Sequence, residues 1–505
     1  MLARTEKQFP QAHDVEQAPS QLAGARKSRR ARWIALSLGV ALIYLALLPP
    51  GIYSVDGNAM LAVSESLVTH HDFSVPEELG TPGVGGKFYA HWYPLLSILA
   101  VPFVYAALVV SRVTHLPFHY VAAPLSLVLM ALITAATSAL VALLAERIGA
   151  SARAAWIAAL AFTFGTVALA YGRTFYAEPL LALLTAAGLY FAFGESTKSI
   201  VWAACFASLA VLAKPTGVVV GPVLVAYLFL RNRRSLLSLL PACGTAVGAL
   251  LYLSYNWLRY GNIFNFGIGS SPFGSSTLFS GIFGLLVSPG YGLLWYCPIV
   301  LLAILGFREA SRKHLLEALA IVGVLAAFLF LHSALPYWFA AWSWGPRYLV
   351  PAIPGLCALT AMVQLRWRKI LVGLALLGFF LNAPTVICFY ERYYSELAAT
   401  GMDTRANLAW SLRYAPVLHE WSAAVHQVQD ARAVDVKEIF GQRGNPSHKI
   451  ENSRALRVVT IWWWVLPIAG IPRIAGAFVS LLVVIAGCLV LWRYRPPADS
   501  VAGSG

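Results

Sequence analysis

The chain is 505 residues long, 59% hydrophobic and 12% charged, with a mean hydropathy of +0.69. Soluble domains carry about 25% charged residues, so two or three ordinary soluble domains are excluded and the composition is that of a polytopic membrane protein. The net charge of +15 would point to nucleic acid in a soluble protein, but here the charges fall mostly between apolar runs, and no nucleic-acid partner is expected.

Six cysteines (Cys205, Cys243, Cys297, Cys357, Cys388, Cys488) stand in or beside apolar segments without a CxxC pair. That excludes a secreted disulfide scaffold and leaves buried thiols. The 16 Trp and 22 Tyr suit a chain with many bilayer-interface positions.

In chain order, residues 1–32 are polar and end in Arg26, Lys27, Arg29, Arg30 and Arg32. They are expected to be a disordered basic cytoplasmic tail, and the apolar run from Trp33 is a full span, too long for a cleavable signal. Further spans are expected to begin near residues 119, 154, 179, 200, 217, 236, 291, 315, 348, 370 and 473. The connections rich in Lys and Arg (Glu146 to Arg153, Lys198, Arg231 to Arg234, Arg308 to Lys313, Arg366 to Lys369, and Arg493 with Arg495) then all fall on the cytoplasmic side. Tyr93 to Val110 is long enough to cross, yet counting it would invert every later loop. With Pro94 and Pro102 it is expected to be an interfacial helix or a re-entrant element.

The expected fold class is therefore an all-α membrane protein of about 12–13 transmembrane helices, both termini inside, whose first outer loop carries juxtamembrane helices. The expected organisation is a tail (1–32), a transmembrane unit (33–387, first outer loop 51–118), a small polar outer segment (388–472), and a last helix with its tail (473–505). Within Glu391 to Arg457, Leu408 to Tyr414 and Val425 to Val436 read as short helices of an outer cap.

Four outer-facing stretches hold the residues suited to chemistry. Directly after the first span comes Ser54-Val55-Asp56-Gly57-Asn58, followed by apolar residues at helical spacing; Asp56 is either a helix N-cap or a carboxylate presented at the membrane edge. The same loop holds His70-His71-Asp72, read as solvated loop because adjacent histidines point apart. It continues with Lys87, Tyr89 and His91, where Lys87 either snorkels or faces an anionic headgroup. Tyr171-Gly172-Arg173-Thr174-Phe175-Tyr176-Ala177-Glu178-Pro179 puts Arg173 and Glu178 in one short turn, where they either pair with each other or serve a site. Lys214 ends a span on the outside, against the positive-inside trend. Gly345-Pro346-Arg347-Tyr348 follows a tryptophan-rich run; Arg347 is either a snorkelling residue in an aromatic belt or a bidentate phosphate ligand. Carboxylates able to act as a base and cations able to neutralise a phosphate thus share one outer face.

These motifs, in this order and on this side, resemble the GT-C superfamily of polytopic glycosyltransferases, in particular bacterial relatives of protein mannosyltransferases and lipid A aminoarabinose transferases, over roughly Trp33 to Asn382. The resemblance implies an inverting glycosyltransferase of the bacterial inner membrane, active on the periplasmic or exterior face. Its donor would be a polyprenyl-phosphate-linked sugar and its acceptor a glycan, lipid or protein. It implies Asp56 as general base and Glu178 as an orienting or acceptor-side carboxylate. Arg347, Lys214, Lys87 and His91 would hold the donor phosphate, with Tyr89, Tyr348, Tyr171 and Arg173 lining the substrate site. Many relatives have an acidic residue where this chain has Gly57, so no metal is expected to be required, although a divalent ion is compatible with the superfamily. A secondary transporter or lipid-sugar flippase is the rival reading; it favours mid-membrane charges and broken helices.

Overall fold

The computed structural model describes residues 12–232, 235–268, 277–364, 367–433 and 458–497. Helices dominate: α1 (Ala12–Ala46), α2 (Val55–Thr69), α3 (Pro94–Thr114), α4 (Phe118–Arg147), α5 (Ala152–Gly165), α6 (Ala168–Tyr171), α7 (Ala177–Ala192), α8 (Thr197–Ala213), α9 (Val220–Arg231) and α10 (Leu240–Tyr260) form the first part. The second comprises α11 (Leu278–Val287), α12 (Leu293–Tyr296), α13 (Ala303–Ala310), α14 (Leu315–Ser333), α15 (Ile353–Thr360), α16 (Arg368–Asn382), α17 (Glu391–Ala399), α18 (Arg405–Trp410), α19 (Pro416–Ala433) and α20 (Arg473–Arg493). Among the described residues the only sheet has three two-residue strands, β1 (Ser74–Val75), β2 (Thr81–Pro82) and β3 (Phe88–Tyr89), in the antiparallel order β1-β3-β2. The chain is an all-α membrane protein, as its composition requires.

Among the described residues, six helical segments are long and apolar enough to cross a bilayer: Pro94–Thr114, Phe118–Arg147, Leu236–Tyr260, Leu315–Ser333, Arg368–Val386 and Arg473–Arg493. Five shorter apolar ones, of 10–17 residues, stand among them. α1 begins inside the stretch expected to be a disordered tail. The reason is local: Ala25 to Arg32 is mostly Ala, Arg and Lys, strong helix formers that extend the span N-terminally. The stretch from Tyr93 to Val110 is not re-entrant, because α3 runs unbroken through Pro102 and packs on α2 and α4.

The spans expected from residues 291 and 348 are not single helices. Prolines 298, 351 and 354 divide them into α12, a 3-10 turn and α13, and into the 3-10 turn Arg347–Ala352 and α15. Irregular backbone at such depth is tolerated where protein buries it, and Leu349 to Thr360 is buried throughout.

The described part of the polar segment 388–472 packs on the helical body. Tyr394 of α17 donates to the Ser343 carbonyl (2.6 Å) and Trp421 of α19 to that of Phe380 (2.9 Å). Leu408 to Tyr414 is two pieces, the end of α18 and a 3-10 turn, because Ser411 is extended between them. Val425 to Ala433 belongs to the longer α19; the remainder of the expected helix to Val436, and the segment to Arg457, lie outside the described residues, as do Arg233, Arg234 and Arg366 of the basic loops.

Candidate active site

Four charged side chains from four elements form one chain of ion pairs. Pro49, Pro50 and Gly51 end α1, and Ser54 caps the next helix, its Oγ accepting from the Gly57 amide at 3.1 Å. With Ser54 as the N-cap, Asp56 is not needed to cap and stands in the first turn of α2, 20% exposed. Gly57 has no room for a side chain: a Cβ there would lie 2.6 Å from Ile52 and 3.0 Å from the Phe175 carbonyl. Close packing of the α2 start on the 171–176 turn leaves no room there for an acidic side chain.

Glu178 lies in the first turn of α7 and is 1% exposed. Lys214 ends α8, and Pro215 keeps its backbone extended (φ −163°, ψ 132°), turning the side chain across to Glu178. Arg347 opens the 3-10 turn after Gly345, whose φ of +60° and Cβ position, 2.5 Å from the Tyr296 ring, admit only glycine without strain.

The Arg347 guanidinium bridges the two carboxylates: Nη2 donates to Asp56 Oδ2 (2.6 Å) and Nε to Glu178 Oε1 (2.8 Å). Lys214 Nζ donates to the same Glu178 oxygen at 2.6 Å. The cations also rest on rings, Arg347 Cζ 4.0 Å from the centre of Tyr176 and Lys214 Nζ 4.7 Å from that of Tyr348. Tyr348 in turn stacks on His332 at 4.3 Å. With side-chain exposures of 13% and 8%, Arg347 and Lys214 are too buried for a snorkelling account, and Trp338 and Trp344 of the tryptophan-rich run are fully buried rather than a belt.

Other residues expected at the site stand elsewhere. Arg173 is buried and does not meet Glu178. It donates to the carbonyls of Leu47 (2.6 Å), Thr385 (2.8 Å), Val386 (3.1 Å) and Thr460, tying the end of α1 to the two ends of the described polar segment. Tyr171 packs on Tyr176, but its hydroxyl is committed to the Trp344 carbonyl (2.9 Å). Lys87 is exposed and pairs with Asp72 at 2.7 Å. The two line a separate cavity of 890 Å³ at the far end of α2, with Glu65, His70 and Phe118. Burial pushes the Asp72 carboxyl up, but bonds from Lys87, Ser74 and Ser66 outweigh it and hold the group well below the usual carboxylate range. Tyr89 sits in β3, edge-on to Tyr260.

His91 lies within the electrostatic reach of Asp56. Burial pushes its imidazole below the ordinary value, Asp56 opposes and Arg259 adds to the depression, so the ring is neutral at pH 7. Two further site residues carry no signal of their own in the sequence: Tyr176, under Arg347, and Glu391, whose Oε1 accepts from the Tyr176 hydroxyl at 3.3 Å. Tyr176 stood two positions before Glu178 in a motif already singled out. Glu391 opened a segment read only as polar, and nothing local marks it. Among the described residues no group of three or more His, Cys, Asp or Glu side chains converges as a metal site. The carboxylates of Asp56 and Glu178 face cations instead.

No family model matches the sequence, and no curated protein matches it. Solved structures do. ArnT from Cupriavidus metallidurans in the apo state is similar over 91% of this chain and 78% of that one, with a TM-score of 0.50 and 17% identity. The same protein bound to undecaprenyl phosphate gives 0.48 and 18% over the same shares, and the apo Archaeoglobus fulgidus oligosaccharyltransferase 0.45 and 13% over 84% and 61%. At such identity the likeness to apo ArnT speaks for the fold. The chain is a multi-pass membrane protein with the GT-C fold.

Proposed function

We propose that this protein is a glycosyltransferase that moves a sugar from a polyprenyl-phosphate donor to an acceptor glycan, lipid or protein at the outer face of the bacterial inner membrane. The observation that carries the reading is the Asp56–Arg347–Glu178–Lys214 chain of contacts, from 2.6 to 2.8 Å, gathered from α2, the 3-10 turn, α7 and the end of α8. Arg347 lies between two carboxylates, and a guanidinium that can exchange one of them for a phosphate is what displacement at an anomeric carbon requires.

In this reading the donor phosphate takes Arg347 and Lys214 as its counter-ions, and Arg347 leaves Asp56. Asp56 then removes the proton from the acceptor hydroxyl or amine as its oxygen or nitrogen bonds to the anomeric carbon. The bond from that carbon to the phosphate oxygen breaks, its electron pair stays on the lipid phosphate, and the configuration inverts. Glu178 orients both cations and touches neither reacting atom. Charge balance comes from the side chains, and no metal is required for it.

A scaffold would have no need to join Asp56 to Arg347 across 291 positions, and a transporter no need for an acid at the start of an outer helix. The test is release of polyprenyl phosphate from a panel of lipid-linked sugars by the purified protein in liposomes, with membrane extract as acceptor. Release from one donor supports transfer and names the sugar. Movement of an intact lipid-linked sugar across the bilayer without release would replace this reading with a flippase.

A further inference from the structure

Three carboxyl groups border the Arg347 guanidinium, and they are not equivalent. Asp56 and Glu178 each hold a cation. Glu391, half-buried at the start of α17, has none: among the described residues its hydrogen bond is the one from Tyr176. The same Tyr176 ring lies under Arg347, and the Tyr390 hydroxyl is 3.5 Å from that of Tyr176. The one cation on α17, Arg392, is engaged on another side with Glu396 (2.9 Å), Asp430 (2.6 Å) and Gln427. The groups facing Glu391 are thus Tyr176 from the turn before α7, Tyr390 beside it, and the charges of Asp56 and Arg347.

Charge counting gives this arrangement a consequence. Asp56 and Glu178 against Arg347 and Lys214 make a site that is neutral before donor binds. An anionic lipid phosphate enters it, and its negative charge grows as the sugar leaves. A third carboxylate with no cation of its own would oppose both events.

We propose that Glu391 is a positioning residue of the phosphate subsite: it anchors Tyr176 beneath Arg347 by accepting from its hydroxyl; uncharged, it keeps the site neutral, and ionised, it weakens the hold on lipid phosphate. Burial pushes the Glu391 carboxyl up to about 8; the charge of Asp56 acts in the same direction, and the Tyr176 hydroxyl and Arg347 oppose. The uncharged form therefore prevails at neutral pH and gives way as pH rises through about 8.

The proposal rests on the donor reading above, and its test separates the two. Binding of undecaprenyl phosphate to the purified full chain in detergent is measured from about pH 7 to about pH 9.5, where a phosphomonoester is already dianionic. Wild type should lose affinity by about tenfold relative to Glu391→Gln, which mimics the uncharged form and should lack that decline. Whatever Lys214 and the tyrosines contribute is common to both proteins. Tyr176→Phe removes the hydroxyl that favours the ionised form, so its decline should move to higher pH. Parallel curves for wild type and Glu391→Gln would overturn the proposal. A Tyr176→Phe decline at the wild-type pH would overturn its route through Tyr176, and this variant serves if Glu391→Gln does not fold. Absence of binding by wild type at every pH would remove the donor reading itself and the proposal with it.

Discussion

Arg347 Nη2 lies 2.6 Å from Asp56 Oδ2, and the same guanidinium holds Glu178 at 2.8 Å through Nε. One planar cation with several donors thus joins the carboxylate proposed as base to the one proposed as its support. A lysine has the charge but not the fork. Arg347→Lys is expected to slow release of polyprenyl phosphate by about 10²-fold, roughly 2.7 kcal/mol of transition-state stabilisation, with the protein still folded. Single-turnover rates on the donor identified by the panel check this.

Gly345→Ala should act on the same residue from a distance. A methyl group there lies 2.5 Å from the Tyr296 ring on a backbone at φ +60°, so the turn must shift and Arg347 with it. The expected result is a loss of release similar in direction to Arg347→Lys, accompanied by a lower melting temperature. Circular dichroism in detergent and the release assay measure the two effects.

Glu178→Gln leaves Lys214 and Arg347 buried with one carboxylate between them. Breaking one partner of a buried ion pair costs about 3–5 kcal/mol, more than removing an exposed one. Glu178 is 1% exposed and Asp56 20%, so Glu178→Gln should lower thermal stability clearly more than Asp56→Asn. The opposite order would contradict the assignment of Glu178 as support.

Arg173→Lys removes donors to carbonyls at Leu47, Thr385, Val386 and Thr460, which a single ammonium cannot span. The expected outcome is a loss of about 3 kcal/mol in stability. The folded fraction should keep the donor KM and the pH profile of the wild type. A selective change in KM would return Arg173 to the substrate site.

Chelation tests the charge balance. With Arg347 and Lys214 as counter-ions of the phosphate, EDTA treatment is expected to leave release within about twofold of the untreated rate. A loss restored by a divalent ion would show that a metal takes part.

Legibility in the sequence followed the range of the physical signal. The membrane class is written in composition. Asp56, Glu178, Lys214 and Arg347 are readable as charges at the ends of apolar runs, a place where apolar neighbours make any charge conspicuous. Their mutual contacts are not, since 169 residues separate Glu178 from Arg347. Arg173 and Lys87 carried the same signal as the true partners, and only tertiary packing sends Arg173 to backbone carbonyls and Lys87 to Asp72. Glu391 stood among other polar residues, where a carboxylate is unremarkable until Tyr176 is seen against it. Prolines 298, 351 and 354 were visible, but an apolar run hides a break that buried neighbours make tolerable.

Whether Asp56 drives sugar transfer from a lipid phosphate is decided by comparing polyprenyl phosphate release by wild type and Asp56→Asn in liposomes. Wild type should release it from at least one lipid-linked sugar, and a folded Asp56→Asn variant should do so about 10³-fold more slowly. Release at the wild-type rate by that folded variant would contradict that role.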